Sequence, residues 1–156
     1  MDANAIFGLQ FILSMIMWSL IAKWLMAPWL KKMSAHEALL WLTIPHAFRY
    51  IGMVFLVPGV VSQDMPSNFA TLAGYGDLAT AVIAMLALVA LRYKWVGALV
   101  LVWLFNIVGT VDLLNALPRQ EALPYFEAAW YIPTFLVPLL LVTHFMIFVR
   151  LLKTNS

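Results

Sequence analysis

The sequence predicts an all-α, polytopic membrane protein: a bundle of five transmembrane helices with its N-terminus outside and its C-terminus inside. Three observations carry this. Hydrophobic residues make up 65% of the 156 positions and charged residues 10%, whereas a soluble domain is about half apolar and a quarter charged. The apolar residues fall into five runs, each near the ~20 residues that a helix needs to cross a ~30 Å hydrocarbon core. Lys and Arg gather in alternate connections, which is the pattern of the positive-inside rule. The ten-residue alternating segments of a membrane barrel are absent.

The first span is expected at about residues 5–26, ending near Ala27 and Pro28. Met1-Asp2-Ala3-Asn4 carries no positive charge, and Lys23, Lys31 and Lys32 come after the apolar run. A cleavable signal peptide has the opposite polarity, so this run reads as a retained helix. The second span covers about residues 38–61 and contains Pro45 and Pro58. Ser34, His36 and Glu37 just before it read as helix-start chemistry, with Glu37 at the positive end of the helix dipole. The third span covers about 69–91 and follows Pro66, a breaker. Its Ala70, Ala73, Gly76, Thr80, Ala84 and Ala87 form a small-residue stripe. Helices associate in bilayers through such close backbone approach, so this helix is expected at the centre. The fourth span covers about 96–117 and is joined to the third only by Arg92-Tyr93-Lys94-Trp95, which demands a tight hairpin; Leu117-Pro118 ends it. The fifth covers about 126–152, begins after Pro124, and carries Pro133 and Pro138 in its first half. Prolines inside helices free carbonyls and kink the axis, and kinks in two helices are one way to open a cavity between them. No internal repeat or low-complexity tract interrupts what reads as a single transmembrane domain over residues 1–156.

Orientation follows from the connections. Lys31 and Lys32, Arg92 and Lys94, and Arg150 and Lys153 mark three cytoplasmic segments; Asp64 and the run containing Arg119, Glu121 and Glu127 mark the two outer ones. Trp24, Trp29, Trp41, Tyr93 and Trp95 read as the inner aromatic belt, and Tyr125, Trp130 and Tyr131 as the outer one. Trp18 and Trp103 lie deeper. The expected location is the plasma membrane, as the inner membrane of a bacterium, with membrane lipids as the first partners.

With no cysteine, disulfides, thiolate metal sites, iron–sulfur clusters and thiol catalysis are excluded. No basic run suits nucleic acid. No lysine lies deep in the last three spans, which argues against a retinal Schiff base, and no Arg-rich helix suggests a voltage sensor. Nothing fits a carrier with twin broken helices. The run Gly74-Tyr75-Gly76-Asp77 has no lysine and does not suit a phosphate-cradling loop; its glycines let a backbone or ligand approach Asp77.

What constrains function is the polar set inside the apolar runs: His46, Arg49, Asp77, Asn106, Asp112 and His144. A charge near the bilayer centre costs at least ~2.5–3.5 kcal/mol, so each needs a partner, water or a ligand. Counting from the span ends puts Arg49, Asp77, Asn106 and Asp112 in an outer-to-central layer and His46 with His144 in an inner one. Helical spacing puts His46, Arg49, Gly52 and Leu56 on one face. The structural reading is an ion pair between Arg49 and Asp77 or Asp112 that holds three helices together. The functional reading is a polar cavity for an ion, a proton or a small molecule, because two carboxylates share one arginine and the surplus acid is suited to proton exchange.

The expected function is therefore binding or translocation of a small molecule, ion or proton through a cavity lined by Arg49, Asp77, Asn106 and Asp112, with His46 and His144 as its inner part. No catalytic residue and no metal site is assigned. Three alternatives stand beside it: an electron-transfer protein with haem b ligated by His46 and His144, a membrane enzyme acting on a lipid or isoprenoid with the acids as proton donors, and an accessory subunit of a larger membrane complex. A homo-oligomer fits the last equally well.

Overall fold

A computed structural model describes residues 2–117 and 119–154. Five helices among them are long and apolar enough to cross a membrane: α1 (Ala3–Leu30), α2 (Ala35–Leu56), α3 (Ser67–Arg92), α4 (Ala98–Ala116) and α5 (Glu127–Lys153). They follow one another up and down. Asp2 caps α1 by accepting from the Ala5 amide, and Ser34 with Glu37 forms a reciprocal capping box at the start of α2. The α3–α4 hairpin closes as expected. Trp95 N–H donates to Ala90 O and Lys94 N–H to Leu91 O, with Lys94 at φ 54°, the paired bonds of a Schellman turn with lysine where glycine is favoured.

Two boundaries differ from the sequence reading, each through proline. α2 ends at Leu56 rather than near residue 61, and Pro58 lies outside it in a turn bridged to Val61. Beyond Pro45 and Phe48 the chain winds as a 3₁₀ helix, Arg49–Leu56. Three residues per turn place Arg49, Gly52 and Phe55 on the inward face, so Phe55 replaces Leu56 there. α1 continues past Ala27 and Pro28 to Leu30, because a π-helical turn, Ala22–Met26, precedes the proline. A matching π turn, Ile132–Leu136, accommodates Pro133, and Pro138 falls in the first turn of the regular segment that follows. The expected stop of α4 at Leu117 involves Pro118, which lies outside the described residues.

α3 packs against both α2 and α4, with Ala70, Ala73, Thr80, Ala84 and Ala87 all buried. The central position of the small-residue stripe is therefore as expected. α1 lies at the edge, along α5, and its regular segment Ala3–Ile21 buries no residue. Two apolar clusters occupy the ends of the bundle. Leu30, Leu39, Leu42, Ala87, Val102 and Ile147 pack at the end that carries Lys31, Arg92 and Lys94, the basic end. Phe55, Phe69, Ala122, Leu123 and Phe126 pack at the opposite end, where the 3₁₀ segment Gln120–Tyr125 folds inward. Ser62 N–H to Tyr125 O and Ala128 N–H to Val60 O tie the two connections there.

Candidate functional site

Between the apolar clusters lies a polar layer, and it contains all six residues singled out from the sequence. Arg49 is its centre. The first residue of the 3₁₀ segment, it points inward with a side chain wholly shielded from solvent. Its Nε donates to Asp77 Oδ1 at 2.6 Å, and Nη2 lies 2.6 Å from the same oxygen. Nη2 also donates to Asp112 Oδ2 at 2.5 Å, and Nη1 donates to Gly109 O at 3.0 Å. One guanidinium therefore joins α2, α3 and α4, and both candidate acids are engaged rather than one of them.

The histidines attach to this cluster instead of forming a separate inner layer. Arg49 Nη1 lies 3.4 Å from His144 Nε2. Asn106 Nδ2 donates to His144 O at 3.3 Å, which leaves Asn106 Oδ1 to accept from His144 Nδ1 at 2.7 Å. These bonds define an uncharged ring protonated on Nδ1, with Nε2 accepting from the arginine. His46 packs on His144 with ring centroids 4.0 Å apart. Its Nε2 lies 3.0 Å from Thr143 Oγ1. The single hydroxyl proton of Thr143 is directed to Leu139 O and Leu140 O, so His46 Nε2–H donates to the threonine. His46 Nδ1 is buried with no partner among the described residues.

Three glycines make room for this assembly. A methyl group on Gly52 would overlap the Asp77 carboxyl group, and one on Gly76 would overlap that of Asp112. On Gly109 it would come within 2.7 Å of Arg49 Nη1 and Thr80 Cγ2 and 2.8 Å of His144 Cε1. Glycine is needed here for close approach, not for backbone freedom. Gly109 and Thr143 were not singled out from the sequence. A signal for each was present: Gly109 lies midway between Asn106 and Asp112 on one face of α4, and Thr143 adjoins His144.

Access is one-sided. The Asp77 side chain is 12% exposed and that of Asp112 19%. A narrow pocket of about 50 Å³ touches both acids between Phe69 and Phe126. A wider cavity of about 290 Å³ adjoins Asp112 and is lined also by Asn115 and Arg119. Asp112 thus forms the boundary between the buried layer and a polar opening. A haem ligated by both histidines would need the two rings to part, since they now touch each other and both are hydrogen-bonded into the layer. No group of three or more His, Asp or Glu suited to a metal ion occurs among the described residues.

The chain belongs to the family described as Domain of unknown function (DUF8737), whose model matches residues 6–152 and so spans all five helices. No curated protein and no solved structure matches the chain.

Proposed function

We propose that this is a multi-pass membrane protein that binds a proton or small cation at the Arg49–Asp77–Asp112 cluster, entering by way of the cavity at Arg119. The observation that carries the reading is the charge count: two carboxylates converge on one guanidinium inside the bundle. With all three ionised, the cluster holds one unbalanced negative charge. A low-dielectric site penalises that charge, and a proton or cation arriving at Asp112 removes it. Arg49 stays charged throughout and holds Asp77, while Asp112, the more exposed acid, exchanges with the cavity. Asn106, His144, Thr143 and His46 keep the arginine oriented from behind.

The orientation we propose sets the basic end in the cytoplasm, in a plasma (bacterial inner) membrane. Lys31, Arg92, Lys94 and Lys153 favour it, and the Asp112 cavity then faces outward. Impermeant labelling of single cysteines placed at Gln63 and Lys94 in intact cells tests this; label at position 63 and not at 94 is expected.

The functional test measures proton uptake by the purified protein in detergent during an acid titration, against a protein-free blank and with or without a small cation. Wild type is expected to take up a proton at the cluster, and an added cation that occupies the site to reduce that uptake. Asp112→Asn is expected to abolish this while leaving folding intact. Unchanged uptake in Asp112→Asn and in Asp77→Asn would overturn the proposal. A second reading, an accessory subunit, draws support from the regular part of α1, which buries no residue. Co-purification of a fixed partner through α1, with loss of folding when expressed alone, would favour it.

A further inference from the structure

A third cavity lies at the other end of the molecule and plays no part in the site described above. It occupies about 610 Å³ between the C-terminal half of α1 and the last turns of α5. Apolar side chains line it, with Ala22, Leu30, Leu42, Phe145 and Val149 among them, together with Lys23, Lys31, Arg150 and Lys153. Among the described residues no acidic side chain lines it. The lining therefore combines apolar and cationic side chains.

The local fold of α1 builds this arrangement. At 100° per residue a regular helix would leave Ser19 and Lys31 about 120° apart around the axis. The π turn Ala22–Met26 takes up one extra residue, which brings them back to roughly 20°. Ser19, Lys23, Ala27 and Lys31 consequently share one wall of the cavity. On α5, Leu141, Phe145, Val149 and Lys153 recur every fourth residue and supply the facing wall.

We infer that this groove is a binding site for an acidic membrane phospholipid, with the phosphate held by Lys23 and Lys31 and an acyl chain along the apolar side chains between α1 and α5. The volume falls in the range of small-molecule sites. Charge complementarity selects the occupant. Lys23 and Lys31 favour an anion, and the apolar side chains beside them favour one that is attached to a hydrocarbon chain. Basic clefts between helices at the cytoplasmic surface hold acidic headgroups in this way. The edge position of α1, packed along α5, leaves the groove open to lipid from the side.

The experiment uses the full chain in neutral detergent. Phosphatidylglycerol and phosphatidylcholine of the same chain length are titrated separately, with bound lipid read by native mass spectrometry, and inorganic phosphate is tested as competitor. One phosphatidylglycerol is expected to bind, with phosphatidylcholine at least tenfold weaker and inorganic phosphate ineffective as competitor at millimolar concentration. The double substitution Lys23→Gln, Lys31→Gln is expected to weaken phosphatidylglycerol about thirtyfold. Lys32→Gln with Lys94→Gln, which removes two charges at the same end outside the cavity, should leave it within twofold. Ala27→Phe fills the groove without altering charge and should also weaken binding at least tenfold. Equal binding of the two lipids, displacement by phosphate alone, or equal losses in the two double-lysine variants would each overturn the site.

Discussion

Replacing either acid of the central cluster by asparagine should cost little stability, and replacing both should cost a great deal. Arg49 donates through Nε to Asp77 at 2.6 Å, with Nη2 as close to the same oxygen, and through Nη2 to Asp112 at 2.5 Å. Asp77→Asn retains an acceptor oxygen in place and leaves Arg49 balanced by Asp112. Asp112→Asn leaves it balanced by Asp77. Each single change replaces a bond between two ions by one from the guanidinium to a neutral amide oxygen, a loss of about 1 kcal/mol. That loss is offset by removing one desolvated charge and the repulsion between two carboxylates sharing a guanidinium. The net expectation for each is within about 1 kcal/mol of wild type. The double variant leaves a wholly shielded guanidinium without a counter-ion, which costs about 3–5 kcal/mol. The two substitutions should therefore be non-additive by about 2–4 kcal/mol, well above the few tenths expected of independent sites. Reversible unfolding in mixed detergent micelles, followed by far-ultraviolet circular dichroism, measures all four corners of the cycle. Single variants that each lose 3 kcal/mol or more, or a double variant equal to the sum of the singles, would refute the charge count on which the reasoning rests.

The other predictions concern how the layer is held. Gly52→Ala, Gly76→Ala and Gly109→Ala should each destabilise by about 1–3 kcal/mol through forced displacement of Asp77, Asp112 or Arg49, whereas Gly8→Ala, with open space around it, should stabilise by about 0.5–1 kcal/mol; the same unfolding assay separates them. Asn106→Leu should leave the His144 Nδ1 hydrogen without an acceptor and cost about 1–3 kcal/mol, with the His144 ¹⁵N shifts moving away from the Nδ1-protonated pattern. Lys94→Gly should raise the thermal midpoint in detergent, by relieving about 1 kcal/mol of left-handed backbone strain in the α3–α4 turn; a fall would show that the lysine contributes more through its charge than it costs through its backbone.

The helices were legible because one physical variable, apolar length, marks all five of them. All five spans lie within a few residues of their expected starts. The ends were less legible wherever proline acted. A hydropathy run passes through Pro28 and Pro58 alike, yet α1 absorbs Pro28 behind a π turn while α2 stops before Pro58. Whether a helix re-registers or ends depends on the neighbours available to satisfy freed carbonyls, which the sequence does not display. The polar set was legible for the same reason as the spans: buried charge is expensive, so Arg49, Asp77 and Asp112 had to converge. Their mutual geometry was not legible. The division into an outer and an inner layer treated depth alone, whereas the arginine is long enough to reach His144 from the level of the acids. Gly74 and Gly76 appeared in the sequence as places for a ligand or backbone to approach Asp77; side chains meet them instead, Leu56 at Gly74 and the carboxyl group of Asp112 at Gly76.

Exposure falls steadily along the polar chain, from 19% at the Asp112 side chain through 12% at Asp77 to none at Arg49, and His46 and His144 are buried behind it. Beyond the histidines, toward the basic end, Leu39, Leu42, Ala84, Phe105 and Ile147 pack together, and the buried Thr43 beside them turns its hydroxyl to Leu39 O. The layer is thus reached from one end and stopped by an apolar plug at the other. A species that enters at Asp112 and leaves the same way needs only side-chain movement near Asn115 and Arg119. One that crosses needs the plug to separate, which means breaking close contacts on both faces of α3, where Ala81, Ala84 and Ala87 are fully buried. Interiors packed this closely switch between discrete arrangements and do not deform gradually. Binding and crossing therefore make different demands on this fold, and a wild-type protein that takes up a proton at Asp112 without carrying it across a liposome membrane would separate the two.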